Sequence, residues 1–437
     1  MSGLLKNGTL LKHQGENVKI LELLGSGGQG EVYRIQYKGK DYALKWYFPD
    51  SATPEQKQII SNLIDKKSPN ENFLWPIDLI ESSENKSFGY IMDLRTKEYN
   101  GIVDLMKKKC SPSFYNLATV GFKTSDSFLQ LHTRGLCYKD ISFGNLFFNP
   151  NTGDVKICDN DNVTPEGSDF SGVLGTPKFM APEIVRGDSK PSTQTDLYSL
   201  AVLLFYVFFV HHPLEGKLEM DIKCLDAPAM TKLYGKNPIF IFDPNNETNR
   251  PVKGEQDNAI IYWNIYPQFF KALFIRSFTD GIHNPLNGRV RESEWRNIFI
   301  QLRDSIFYCE CGAENFYDLE SVKLNQGKPN PCWSCKRTPT LPFRIKIDKS
   351  IIMLNHNTKL FPHHIDSKKK YDFSKPVAEV SRHPDNQNIW GLKNLSDDKW
   401  VMTDSSGNLK DIFSGKNCRL DNGVKIQFGN SEGEIRY

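Results

Sequence analysis

An apolar run long enough to cross a bilayer is missing from this 437-residue sequence. The most apolar stretch, YSLAVLLFYVFFV at 198–210, has thirteen residues and stops at His211. A membrane-spanning helix needs about 20, so this run reads as a buried helix. A charge excess is missing too, with 55 basic residues against 52 acidic ones and a net charge of +3. That balance argues against a broad nucleic-acid-binding surface. The local runs MKKKC (106–110) and SKKKY (367–371) read as solvated surface. The first twenty residues lack the continuous apolar core of a secretory signal, so the expected location is cytoplasmic, with no membrane or nucleic-acid partner. In that reducing setting the nine cysteines are expected as thiols, and close pairs of them point to a metal rather than to disulfides. Internal repeats and extended low-complexity segments are absent as well.

What is present is organised in blocks. A chain this long exceeds the roughly 250–300 residues that one core supports, so two to four domains are expected. Residues 18–48 are dense in Val, Ile and Tyr and are punctuated by Gly-rich and KGKD turns, the pattern of strands. The stretch TPEQKQIISNLIDKK (53–67) predicts a helix, with Thr53 as cap and Pro54 in the first turn. LWPIDLI (74–80) and FGYIMDL (88–94) predict further strands, and 112–134, 196–210, 262–278 and 291–308 predict helices. The order is a small sheet-rich lobe followed by a larger helical one. A cysteine-bearing module follows at 309–335, then the proline-containing linker KRTPTLP (336–342), then short strands with turns such as SSGN and LDNG that predict a β-sandwich.

Several residues carry chemistry in this order. GSGGQGEV (25–32) contains Gly25, Gly27 and Gly30 in a G-x-G-x-x-G pattern between two predicted strands, where bare backbone amides can fold over phosphates. Alone such a cluster is often a turn. Lys45 follows Val32 by thirteen residues, flanked by Ala43, Leu44, Trp46 and Tyr47, a setting that disfavours plain exposure of its ammonium. YKDISFGNLFF (138–148) places Asp140 and Asn145 five apart, and Asp159 follows fourteen residues after Asn145 at the end of an apolar strand. One carboxylate can orient a hydroxyl and accept its proton, while an amide oxygen and a second carboxylate can hold Mg²⁺. Cys309 and Cys311 are followed, after twenty intervening residues, by Cys332 and Cys335, a pairing that suits a closed, structural tetrahedral Zn²⁺ site.

With GTPKFMAPE (175–183), TDLYSL (195–200) and RVRESEW (289–295) added, residues 20–305 resemble a eukaryotic-type Ser/Thr protein kinase domain over about two thirds of the chain. The resemblance implies a bilobal α+β fold, with an N-lobe at 1–94, a C-lobe at 95–305, a zinc ribbon at 306–340 and a β-sandwich at 341–437. It implies ATP held by Gly25, Ser26, Gly27, Gly28, Gly30, Val32, Ala43 and Lys45. Met92 would be the gatekeeper, and Asp93 and Leu94 the hinge. Asp140 would be the catalytic base, with Asn145 and Asp159 as the Mg²⁺ ligands. Glu183 would pair with Arg289, Asp196 would brace the catalytic loop, and Thr176 would lie where a protein substrate's hydroxyl arrives.

The departures from that family are equally specific. Tyr138-Lys139-Asp140 stands where the family has His-Arg-Asp, Ser142 where it has a lysine, and Asp159-Asn160-Asp161 where it has Asp-Phe-Gly. Asp161 is expected to add a carboxylate near the metal. The helix that should supply a glutamate partner for Lys45 offers Glu55 or the neutral Gln56. Losing the arginine weakens the case for control by a phosphorylated activation loop, because lysine does not grip phosphate bidentately. Ser168, Ser171 and Thr176 are the candidate phosphosites.

The stretches IWGLKNLSDDKW (389–400) and CRLDNGVKIQFG (418–429) resemble later strands of a forkhead-associated domain, with VSRHPDN (380–386) a loose echo of its phosphate-binding loop and Arg382 the residue of interest. The order kinase, zinc ribbon, forkhead-like sandwich is similar to a bacterial kinase family linked to tellurite-resistance gene clusters. That likeness implies a von Willebrand A-type protein and a PP2C-like phosphatase as partners. The expected function is Mg- and ATP-dependent transfer of phosphate to protein hydroxyls in a bacterial signalling system. The alternatives are a pseudokinase or nucleotide-binding scaffold whose C-terminal module recruits partners, and a small-molecule kinase on the same fold.

Overall fold

The computed structural model describes residues 3–82, 87–168, 174–386 and 388–437. The chain divides into two compact units, one of residues 1–263 and 271–297, the other of residues 264–270 and 298–437. Residues 298–304, the end of helix Glu292–Asp304, fall in the second unit.

The first unit opens with a six-stranded antiparallel sheet built from β1 (Leu10–His13), β2 (Glu16–Ser26), β3 (Gly30–Tyr37), β4 (Lys40–Tyr47), β5 (Asp78–Ser82) and β6 (Ser87–Met92), in the order β1-β2-β3-β4-β6-β5. Alternation along the strands buries Val18, Ile20, Tyr33, Ile35, Leu44, Trp46 and Ile91 in one cluster. Pairing sets Lys45 of β4 opposite Val32 of β3 and Tyr90 of β6, and Ala43 opposite Met92. Helix α1 (Pro54–Lys66) starts as its sequence predicts, with Thr53 accepting the Gln56 N–H and Pro54 in the first turn, and it buries Ile60 and Leu63. The strand expected at 74–80 begins only at Asp78. Pro76 has no N–H for a ladder, and the Trp75 indole instead donates to the Leu63 carbonyl at 2.8 Å.

After the sheet come α2 (Phe114–His132), capped by Ser113, and α3 (Thr193–Phe209), capped by Ser192. Every residue from Thr195 to Phe209 is buried, as expected of a helix that is apolar all round. No helix among the described residues is long and apolar enough to cross a membrane. Between these helices, the antiparallel strands Leu146–Phe148 and Val155–Ile157 carry the loops that bear Asp140, Asn145 and Asp159. The single helix expected at 262–278 is two helices, Asp257–Ile265 and Gln268–Phe278, because Pro267 cannot continue the first.

In the C-terminal unit, a six-stranded and a four-stranded antiparallel sheet share one apolar core that includes Ile345, Ile352, Val380, Leu392, Trp400, Ile426 and Ile435. The cysteine-bearing hairpin, Ile306–Tyr308 paired with Glu314–Phe316, does not stand apart from them. Phe307, Tyr317 and Val322 pack with Met353, Leu341 and Ile351 in a second small core, so the expected linker is partly structural.

Candidate active site

The glycine loop is the turn between β2 and β3, closed by the Gly27 N–H donating to the Gly30 carbonyl at 2.9 Å. At Gly30 a Cβ would lie 2.2 Å from the Trp46 carbonyl oxygen, so only glycine lets the loop settle on β4. At Gly25 and Gly28 a Cβ would meet nothing within 4 Å, so backbone there faces open space, as a cradle for a ligand requires.

Lys45 projects from β4 and is buried. Its ammonium lies 2.7 Å from Asp159 Oδ1 and 2.7 Å from Asp161 Oδ2. Burial by itself would lower its pKa, but the two carboxylates outweigh that and hold it above the usual lysine value. Asp159 sits in the left-handed region at φ 57°, at the turn that leaves strand Val155–Ile157. Its side chain is 41% exposed, whereas that of Asp161 is fully covered. Burial and the Asp161 charge push the Asp159 carboxyl up while Lys45 pulls it down, with a net rise.

Neither candidate partner on α1 reaches the Lys45 ammonium. Glu55 is exposed. The Gln56 amide donates to the Asp161 carbonyl at 2.9 Å and to the Tyr47 hydroxyl at 3.2 Å. Tyr47 in turn donates to Asp161 Oδ2. Burial and the Asp161 charge push the Tyr47 phenol well above its ordinary pKa, so it remains a donor. Asp161 adds a carboxylate beside Asp159, and its Oδ2 is held by Lys45 and Tyr47. Asn160 replaces the family's phenylalanine with a buried amide that donates to the Leu74 carbonyl at 2.8 Å.

The Asp140 loop is held from behind. Asp196 on α3 accepts the N–H groups of Tyr138 at 2.6 Å and Lys139 at 2.9 Å, which is the bracing role expected of it. Behind Asp196 stands His132 of α2, 3.2 Å away and also bonded to Glu292. Burial pushes this imidazole down, but its bonds to the two carboxylates and their charges prevail and take its pKa up to about 9. Tyr138 donates its hydroxyl to the Cys158 carbonyl, so the residue in the family's histidine position ties the Asp140 loop to the strand end before Asp159. Asn145 turns its amide nitrogen to the Asp140 carbonyl at 2.8 Å. Thr176 donates to Asp140 Oδ1 at 2.6 Å. Arg289 meets both oxygens of Glu183 at 2.7 and 2.8 Å, in a buried pair. Met92 ends β6, with Asp93 and Leu94 beyond it. Ser142 is buried, and Ser168 donates to Thr164 at 3.0 Å. Ser171 lies outside the described residues.

Tyr47, His132 and Glu292 are members that the sequence motifs did not single out. A signal for Tyr47 was present, since residues two apart on a strand share a face and Tyr47 follows Lys45 by two.

In the C-terminal unit the four thiols converge. Their sulfur atoms lie within 4.8 Å of one another, with Cys309 to Cys335 at 3.6 Å and Cys311 to Cys332 at 3.7 Å. Zinc–sulfur bonds of about 2.3 Å in a tetrahedron imply sulfur–sulfur edges of roughly 3.8 Å, so the donor set fits such an ion. Asn315 donates to the Cys332 sulfur at 3.5 Å. Hydrogen bonds from the Arg337 backbone and guanidinium hold the Cys335 thiol down to about 6.

The family model for the protein kinase domain matches residues 18–258, more than half of the chain. The chain belongs to the protein kinase domain family. It is similar to the cell cycle serine/threonine-protein kinase CDC5/MSD2 of Saccharomyces cerevisiae, 25% identical over 249 residues that cover 54% of this chain and 35% of the relative. The serine/threonine-protein kinase TIO of Arabidopsis thaliana is 26% identical over 207 residues, covering 45% and 15%. The serine/threonine-protein kinase PSK1 of Saccharomyces cerevisiae is 23% identical over 234 residues, covering 48% and 17%. The matched region thus spans about a third or less of the length of these curated relatives.

Proposed function

We propose that this chain is an active, ATP- and Mg²⁺-dependent protein serine/threonine kinase. The observation that carries this reading is the Lys45–Asp159 ion pair at 2.7 Å, next to Cys158, whose N–H donates to the carbonyl of Asn145 at 3.0 Å. ATP would be held by Gly25, Ser26, Gly27, Gly28, Gly30 and Val32 on its phosphate side. Ala43, Met92, Asp93 and Leu94 would meet its base. The Lys45 ammonium would neutralise phosphate oxygens. Asn145 and Asp159 offer an amide oxygen and a carboxylate, the hard donors that Mg²⁺ takes, and the ion would supply charge neutralisation on the phosphates. Asp140 would orient the substrate hydroxyl and accept its proton. The Thr176–Asp140 bond supports this, since it places a hydroxyl donor on that carboxylate already. Catalysis of this kind is mostly positioning and electrostatics.

Ser142 favours a second reading as a pseudokinase or nucleotide-binding scaffold, because no ammonium replaces the family's lysine at that position. Incubation of the purified protein with Mg²⁺ and labelled ATP, followed by mass spectrometry, separates the two. Wild type should incorporate phosphate on serine or threonine and Asp159→Asn should not. Equal incorporation by both would count against transfer at this site, and none by wild type with a bound nucleotide would favour the scaffold.

Cys309, Cys311, Cys332 and Cys335 would hold a structural Zn²⁺, supported by their mutual distances. The two-sheet unit would be a forkhead-associated-like module for protein contact. Its Arg382 guanidinium lies 4.4 Å over the Trp390 ring. Protein substrates, a von Willebrand A-type protein and a PP2C-like phosphatase would be the partners, in a cytoplasmic bacterial signalling system, by resemblance of the domain order.

A further inference from the structure

A buried ammonium needs a permanent counter-charge, and Lys45 has two carboxylates at equal distance that are not equivalent. Asp159 is 41% exposed, and under the reading above it is the residue that must turn to the metal. Asp161 is fully covered and has no such second task. Its Oδ2 takes the Lys45 ammonium at 2.7 Å and the Tyr47 hydroxyl. Its Oδ1 takes no hydrogen bond among the described residues, so the carboxylate is fixed from the Lys45 side alone. The Gln56 amide reaches the Asp161 carbonyl and the Tyr47 hydroxyl, which ties α1 to this turn through neutral bonds only.

We propose that Asp161 is the resident counter-ion of Lys45, a positioning residue that holds the ammonium for ATP in the place of a carboxylate on α1. Its position in sequence makes the difference physical. Asp161 lies in the same turn as Asp159, so Lys45 is oriented by the turn that carries the metal ligand and not by the helix. A displacement of α1 would break the Gln56 bonds and leave the ion pair whole. Asp161→Asn, by contrast, leaves the buried ammonium with Asp159 alone, the carboxylate that must turn to the metal. The proposal rests on the reading of the chain as an ATP-using enzyme, but the ion pair itself can be tested without nucleotide.

The test has two arms. In the first, a thermal double-mutant cycle on the full chain without nucleotide compares Lys45→Met, Asp161→Asn and the double variant. Coupled groups give non-additive changes. The double variant should melt at least several degrees higher than the two single losses added together. Additivity would overturn the ion pair. In the second arm, calorimetric binding of Mg–ATP and initial rates are measured for Asp161→Asn, Asp161→Gly and each combined with Gln56→Glu. The single variants should lose about tenfold or more in ATP affinity and in kcat/KM, and Gln56→Glu should restore most of that loss in the Asp161→Gly background. Variants within twofold of wild type would overturn the proposal. So would a loss that merely follows the melting temperature and that Gln56→Glu does not rescue. If wild type neither binds nor transfers phosphate while the cycle is non-additive, the kinase reading fails and the counter-ion stands.

Discussion

The two compact units differ most in what they bury. The first encloses charged groups: Lys45 with Asp159 and Asp161, His132 with Asp196 and Glu292, and Arg289 with Glu183. The second has an apolar core shared by two sheets, with four convergent thiols beside it. Burying an ion costs several kcal/mol before its partner offsets it, so buried charge is a poor way to stabilise a fold. The second unit also buries a pair, His364 with Asp304, but the three sets of the first lie around the Asp140 and Asp159 loops and the Glu183 segment, where positions must be fixed for chemistry. The other unit is stabilised by burial of apolar surface.

The contrast breaks most visibly at Asp159 and Asp140. Asp159→Asn or Asp140→Asn should lower phosphate transfer by on the order of a thousandfold, as expected when one electrostatic contributor to transfer is removed, with the melting temperature little changed. The check is initial rate with labelled ATP. In the other unit, Cys332→Ser or chelation should lower the metal content well below one equivalent and expose titratable thiols. It should also collapse the melting transition of that unit, because such ions supply folding energy directly. Metal analysis with calorimetry measures this.

Arg289→Ala should cost about 3–5 kcal/mol of stability, since Glu183 is then left buried without its cation, and denaturant unfolding reads it. The smallest effect concerns His132. Its folded pKa, about 9, lies above the ordinary 6.5, so its contribution is complete below about pH 6.5 and is lost as pH rises through 9. The loss should be on the order of 3 kcal/mol. His132→Gln should flatten the stability profile across that window. A wild-type profile already flat from pH 6.5 to 9 would contradict the network around Asp196.

The site was legible where chemistry needs fixed residue types at fixed spacing. The glycine cluster, Lys45, Asp140, Asn145 and Asp159 could be named because each is a short polar signal in apolar surroundings. Thr53 and Pro54 marked the start of α1 for the same local reason. What stayed hidden depends on a turn. Spacing places Asp161 two residues after Asp159, but not that the turn Asn160–Asn162 buries it beneath Lys45 while Asp159 stays open. The role of Tyr138 was hidden likewise, since its partner is a main-chain carbonyl at Cys158, and carbonyls leave no mark in sequence. The shared core of the cysteine module and the sandwich joins Val322 to Met353 across a proline-containing stretch that reads as a linker.

The central claim is that the Lys45 ammonium faces the phosphates of ATP. An acyl-phosphate derivative of ATP, which transfers its acyl group to a lysine beside the bound phosphates, tests it in one mass-spectrometric measurement. The expected result is labelling at Lys45 that excess Mg–ATP suppresses. Labelling spread over surface lysines, or a Lys45 label indifferent to ATP, would contradict it.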